Sequence, residues 1–312
     1  MPRIKYILAT LGLLLSILSI VKAQQLPLYS QYMLNDFSMN PSIAGTQPEF
    51  EVKSDNRYQW VGITDAPRTY ILTFDGPLTE KHIGIGSYVF TDITGPTRRT
   101  GFSLAYSYHM KLTDWLNLSL GLQTGILQFS VDGQQINLGE AGDPALTSNL
   151  ESVLVPDIGF GFYLYGDNFF LGAAAPQMVE SQLKLTSFSD AQNIIATHYY
   201  ATAGYKFNFN NSNFSLEPML VFKYVSPVPP QLDIGARVLY KKKYWIGGGF
   251  RTQDAAYAMV GYTYQDNLTF GYSYDYPISD IHNYSYGTNE IFIGIKFNRN
   301  TSIIKPKAEA SK

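Results

Sequence analysis

Apolar and polar residues alternate with a period of two along most of the chain, the pattern of extended segments with one greasy and one hydrophilic face. Between residues 101 and 111 the even positions carry Phe102, Leu104, Tyr106, Tyr108 and Met110, whereas Gly101, Ser103, Ala105, Ser107, His109 and Lys111 fill the odd ones. Next, Leu116, Leu118, Leu120 and Leu122 oppose Asn117, Ser119, Gly121 and Gln123. Leu232, Ile234, Ala236 and Val238 oppose Gln231, Asp233, Gly235 and Arg237, and Leu268, Phe270, Tyr272, Tyr274 and Tyr276 oppose Asn267, Thr269, Gly271, Ser273 and Asp275. A last run sets Ile291, Ile293, Ile295 and Phe297 against Glu290, Gly294 and Lys296, with Phe292 out of pattern.

Counted from Glu49 to Asn298, such runs predict about fourteen strands of roughly ten residues, an even number and the length of a tilted membrane-crossing strand. Short connections at Thr113-Asp114-Trp115, Gly166-Asp167-Asn168, Asn210 to Asn213, Lys241-Lys242-Lys243 and Gln265-Asp266-Asn267 mark one end of the predicted barrel. Every second connection is expected to be as long or longer, and the longest (132–152, 176–194 and 277–286) are placed outside the cell. A soluble β-sandwich or lipocalin-like barrel also alternates, but its interior would be packed with apolar side chains and about eight strands would suffice. The expected fold is therefore all-β: a transmembrane antiparallel up-and-down β-barrel over residues 48–298.

The chain opens with Arg3 and Lys5, an apolar run from Tyr6 to Val21 interrupted by Gly12, Ser16 and Ser19, and the exit Val21-Lys22-Ala23. That is the charged start, apolar middle and small-residue exit of a Sec signal peptide, expected to be cleaved after Ala23, and the run is short for a spanning helix. Removing residues 1–23 takes three of the 23 basic residues and no acid, leaving 20 basic against 25 acidic side chains. A net charge near −5 argues against nucleic acid as a partner. The chain has no cysteine, which excludes disulfide staples, thiolate metal sites and a lipid anchor on an N-terminal cysteine. Its 24 tyrosines and 15% aromatic content suit girdles at the two membrane interfaces.

Residues 24–47 alternate little, and their turn formers Asn40-Pro41 and Ala44-Gly45 predict an ordered plug in the lumen or a segment facing the periplasm. Residues 299–312, with Lys305-Pro306-Lys307, read as a flexible periplasmic tail. Strand parity turns Asp75, Lys111, Glu217, Lys223, Asp233, Arg237, Arg251, Asp275, Glu290 and Lys296 inward. Both signs are nearly balanced, which suits a network bracing the wall better than a one-signed, ion-selective path.

Two stretches carry a family resemblance. The first is Tyr29-Ser30-Gln31-Tyr32-Met33 with Asn35, followed by Asn40-Pro41 and Ala44-Gly45. The second joins Arg57 and Gln59-Trp60-Val61-Gly62 to Ala66-Pro67-Arg68-Thr69-Tyr70 and Phe74-Asp75-Gly76-Pro77-Leu78. Leu216-Glu217-Pro218, Gln231-Leu232-Asp233, Tyr244-Trp245-Ile246-Gly247 and Gly271-Tyr272-Ser273-Tyr274-Asp275 agree as well. Over nearly its full mature length the chain resembles the PorP/SprF family of type IX secretion outer-membrane proteins. Where that family usually reads Gly-Thr-His-Glu, this chain has Gly287-Thr288-Asn289-Glu290, so a role peculiar to the histidine does not carry over.

The resemblance implies an outer-membrane component of the type IX machinery, contacting outer-membrane lipid, periplasmic ring or lipoprotein components and a secreted adhesin-like substrate. It also implies a part in export, surface anchoring or gliding motility. Without it, two further classes stay open: a diffusion porin or solute transporter, which the same barrel supports if the lumen is open, and an outer-membrane hydrolase. The four histidines, His82, His109, His198 and His282, show no zinc-binding spacing, and neither a Gly-x-Ser-x-Gly elbow nor a phosphate loop occurs. No catalytic, cofactor or metal residues are therefore assigned. His109 is read as a hydrogen-bonded wall residue on the lumen side, and the loops 132–152 and 176–194 as the substrate-facing surface.

Overall fold

The computed structural model describes residues 29–78, 82–136, 150–181, 195–209 and 213–297. The proposed signal peptide, residues 24–28, most of the expected substrate-facing loops 132–152 and 176–194, and the tail 299–312 lie outside the described residues. The wall begins with β1 (Phe50–Tyr58), β2 (Arg68–Leu78), β3 (Ile83–Thr94), β4 (Thr97–Lys111), β5 (Asn117–Asp132), β6 (Leu150–Tyr165) and β7 (Phe169–Ala175). It continues with β8 (His198–Tyr205), β9 (Phe207–Asn208), β10 (Phe214–Val225), β11 (Val228–Tyr240), β12 (Tyr244–Arg251), β13 (Ala255–Tyr264), β14 (Leu268–Pro277) and β15 (Thr288–Phe297).

Each strand pairs antiparallel with its sequence neighbours, and β15 pairs with β1 to close the sheet. Both β8 and the two-residue β9 pair with β10 and are separated only by Lys206, so they form one stave and the closed wall has fourteen. Closure removes the free edge strands that a sheet could not expose to lipid, although the stretch of β6 before Phe160 pairs on its β5 side alone among the described strands.

The side-chain alternation runs in the direction the sequence predicts. Leu120, Phe270 and Tyr272 point outward and are among the exposed large apolar residues, while Ser103, Ser107, Ser119 and Ser273 point inward and are buried. Phe292, the residue out of pattern in the last strand, points inward at 2% exposure and covers the bare backbone of Gly294. Exposed aromatic residues gather at both ends of the wall. Trp115 with Phe169, Tyr205 with Phe207, Phe214 with Tyr240 and the stacked set Phe50, Phe74 and Phe297 stand at one end. Tyr58 with Tyr70 and Tyr199 with Tyr224 stand at the other.

Two expectations need correction. Connection lengths do not alternate strictly: β3 and β4 are joined by Gly95-Pro96, and β10 and β11 by Ser226-Pro227, on the same rim as the long loops. Both links are shorter than the 112–116 connection on the opposite rim. A positive φ at Gly95 permits the first of these tight reversals. The inside of the wall is also not uniformly polar, because Leu127, Phe129, Val131 and Val155 face inward near the long-loop rim and pack with Ile195, Phe90, Met39 and Tyr29. The strands β4, β5 and β6 have 15, 16 and 16 residues, beyond the roughly ten that cross the hydrocarbon, and their outer ends close over an apolar cluster like that of a soluble protein.

Candidate functional site: the occupied lumen

Residues 29–47 run through the inside of the barrel from the long-loop half towards the short-turn rim. Three single-turn 3₁₀ helices, Gln31–Met33, Asp36–Ser38 and Pro41–Ile43, shape this path. Asn40 starts the third by accepting from the amide of Ser42 at 3.1 Å, and Pro41 fits its first position because the missing N–H has no helical partner there. Ser30, Gln31, Tyr32, Asn35, Ser42 and Ala44 are all 0% exposed.

The wall receives this segment through inward-facing glycines. A Cβ on Gly84 would collide with the Ala44 carbonyl, one on Gly121 with the Ser42 amide, one on Gly161 with Asn40 Oδ1, and one on Gly86 with the Phe37 ring. Around this groove the wall bonds several of the segment's polar groups. Asn40 Nδ2 donates to the Phe162 carbonyl at 3.0 Å, Thr73 Oγ1 to Asn35 Oδ1 at 3.0 Å, and Ser107 Oγ to the Ala44 carbonyl at 2.6 Å. His109 reaches that same carbonyl through Nε2 at 2.9 Å and the Tyr165 hydroxyl through Nδ1 at 3.2 Å, so the imidazole is occupied in holding the segment.

Buried charges clamp the first turn. Glu290 accepts the Ser30 amide at 2.8 Å and the Gln31 amide at 2.7 Å, and Arg57 donates to Glu290 and to Asp275, each at 2.8 Å. Ser30 Oγ donates to Asp275 at 2.6 Å and accepts from Arg251 at 2.8 Å. Arg251 also donates to Asp233 and Asp254, both at 2.9 Å. Tyr32 and Tyr257 both donate to Asp233 at 2.7 Å, and burial followed by the adjacent Asp233 carboxylate pushes the Tyr32 phenol well above its ordinary range. Taking such charges out of water is expensive unless each is paired and hydrogen-bonded, and here the segment's own backbone amides supply part of the pairing.

A second charged group lies towards the short-turn rim. Lys53 sits 2.5 Å from Glu51 and 4.0 Å from both Asp36 and Asp75, and Lys296 pairs with Glu51 at 2.8 Å. Burial raises the Asp36 carboxyl, with Lys53 opposing it. Glu217 takes Arg237 at 2.5 Å and Lys206 at 2.9 Å, and Arg237 stacks over the Trp245 ring. Between these groups two neighbouring cavities of about 550 and 340 Å³ share Met33, Asp36, Thr46, Gln47 and Arg237 as lining. On the long-loop side two internal voids are of about 20 and 10 Å³.

The residues singled out from the sequence therefore fall into distinct places. Tyr29, Ser30, Gln31, Tyr32, Met33, Asn35, Asn40, Pro41 and Gly45 belong to the internal segment, and Asp75, Asp233, Arg251, Asp275 and Glu290 face it from the wall. Glu217, Arg237 and Lys296 lie at the cavity, and the ammonium group of Lys223 stands 5.9 Å from the centroid of the Tyr32 ring. Trp60 and Gly287 join two loops on the long-loop rim: Trp60 N donates to Thr288 Oγ1 at 3.1 Å, and Val61 N to the Gly287 carbonyl at 2.8 Å. Pro67 accepts from Gln59 N at 2.9 Å, the exposed Arg68 begins β2, and Thr69 Oγ1 donates to Asp92 at 2.7 Å. Lys111 is the exception to the inward set. It stands on the short-turn rim, 60% exposed and paired with exposed Asp114, because the strand ends there and leaves the wall.

Sequence reasoning missed the densest charge stripe. Glu51, Lys53, Asp55 and Arg57 occupy alternate positions of β1, and all point inward and are buried. Four ionisable residues at a strict spacing of two, in a segment with little apolar character, were the available signal.

A closed antiparallel wall with lipid-type residues outside and hydrogen-bonded charges inside defines an outer-membrane β-barrel. The chain belongs to the family described as type IX secretion system membrane protein PorP/SprF, whose model matches residues 21–295, and it is an outer-membrane component of that system. Among solved structures it is similar to the CymD monoaromatic hydrocarbon channel, at 11% identity and TM-score 0.51, covering 88% of this chain and 94% of that one. The Ralstonia pickettii toluene transporter TbuX aligns at 14% identity and TM-score 0.49, covering 83% and 92%. The Acinetobacter baumannii outer membrane protein Omp33 aligns at 9% identity and TM-score 0.47, covering 80% and 98%. At such identities the likeness concerns the barrel alone. No curated protein sequence matches the chain.

Proposed function

We propose that this barrel is a plugged scaffold of the type IX machinery, which positions partners on its two rims and does not conduct solutes. The observation that carries this reading is the lumen itself: residues 29–47 are built into the wall by the Glu290, Arg57, Ser30 and Arg251 network and by the glycine groove. A segment whose amides and hydroxyls bond buried wall charges is costly to displace, because withdrawing it takes hydrogen bonds from Glu290, Asp275, Arg251 and Asp233.

In this reading the short-turn rim faces the periplasm and meets ring or lipoprotein components. The rim with the loops at 59–67, 133–149, 176–197 and 278–287 faces outward and meets the secreted adhesin-like substrate, in service of export, surface anchoring or gliding motility. The signal peptide is removed after Ala23, so N-terminal sequencing of the membrane form should begin at Gln24. Residues 48–298 make up the barrel in this reading, and residues 299–312 a periplasmic tail.

The decisive experiment is single-channel recording in planar bilayers. Wild-type protein should show no large steady conductance. A stable open current would overturn the scaffold and leave the porin or transporter reading.

A further inference from the structure

We infer that the cavity at the short-turn rim is a socket for an extended segment of a protein partner that carries both a basic and an acidic side chain, the basic one seated at Asp75. This deepens the scaffold reading and rests on it, since it supplies the chemistry by which the periplasmic rim would grip another protein.

The acidic side of the cavity has more carboxylates than cations to match them. Asp36, Glu51 and Asp75 share Lys53, and Lys296, which also lines the cavity, is paired with Glu51. Asp75 is 2% exposed, and its Oδ2 accepts only a long 3.5 Å bond from the Gly45 amide. Its Oδ1 has no hydrogen-bond partner, with Lys53 at 4.0 Å, although the residue lines the cavity. A buried carboxylate oxygen without a donor is costly, and an incoming ammonium or guanidinium group would remove that cost.

Across the same cavity the balance reverses. Lys206 and Arg237 share the carboxylate of Glu217, and Lys242 and Asp266 also line the cavity, so three cations face two carboxylates there. Met33, Leu239 and Phe292 lie between the two poles. A free polycation would satisfy only the acidic pole, and an anionic headgroup only the basic one. A polypeptide carrying both charges on an apolar stem matches both poles, and a volume near 550 Å³ is of the size that ligand sites use.

The test is titration of the detergent-solubilised full barrel with acetylated, amidated pentapeptides: Arg-Ala-Ala-Ala-Glu, the same with Gln for Arg, and pentaglutamate, with spermidine as a non-peptide cation. The first peptide should bind, and Asp75→Asn should weaken it about tenfold or more, the ratio for losing one charge-assisted contact. Asp75→Glu should restore most of the affinity. Heat-modifiable gel mobility reports that each variant is folded, and Asp36→Asn serves if Asp75→Asn is not. Equal binding by wild type and Asp75→Asn, equal binding of the peptide lacking arginine, spermidine binding as tightly as the peptide, or no peptide binding would each overturn the socket. None of these results touches the conductance measurement on which the scaffold stands.

Discussion

Arg57 and Glu290 are register partners across the seam where the first strand meets the last, and their side chains are joined at 2.8 Å inside the barrel, with both residues almost fully buried. The same Glu290 carboxylate receives two backbone amides of the internal segment. Closure of the wall and retention of the plug thus share one ion pair.

Replacing Glu290 by Ala should destabilise the folded barrel by about 3–5 kcal/mol, because it takes one of the two carboxylates that pair buried Arg57 and leaves two backbone donors without an acceptor away from water. Urea unfolding in detergent micelles or liposomes checks this. A loss below about 1 kcal/mol would mean that the pair is hydrated and peripheral.

Gly84→Val should expel the turn around Ala44, since the added side chain occupies the position of that carbonyl. The expected outcome is protease cleavage within residues 29–47 in a barrel that still shows heat-modifiable mobility. Single-channel current should appear where wild type has none. An unchanged digestion pattern would place the segment's hold elsewhere.

Tyr32→Phe removes a hydroxyl that donates to the buried Asp233 carboxylate. A buried hydrogen bond to a charged acceptor is worth about 1.5–3 kcal/mol, so the midpoint of denaturation should fall accordingly with no change in strand content by circular dichroism.

Lys111→Ala should leave stability and plug retention unchanged, since the side chain is 60% exposed and pairs only with exposed Asp114. A marked loss of stability would return this lysine to the inward network that strand parity alone suggests.

Much of the barrel is legible in the residue order. Lipid contact selects for apolar side chains at every second position, so Phe102 to Met110 and Leu268 to Tyr276 disclose their outward face without coordinates. Legibility failed where both faces of a strand leave the membrane, as at Leu127, Phe129 and Val131, since the rule linking outward to apolar lapses once water surrounds the wall.

The sequence by itself determined the membrane-facing surface, the number of staves and the family, because each is written in local periodicity or in contiguous motifs. Only the tertiary structure decided that Glu290 and Arg57 hold Ser30, that Gly84, Gly121 and Gly161 form the bed for residues 40–44, and that the stripe from Glu51 to Arg57 lies within. These are pairings between residues far apart in the chain. Their partners are selected by closure of the barrel and by the cost of leaving buried charges unmatched, and neither quantity exists until the wall has formed.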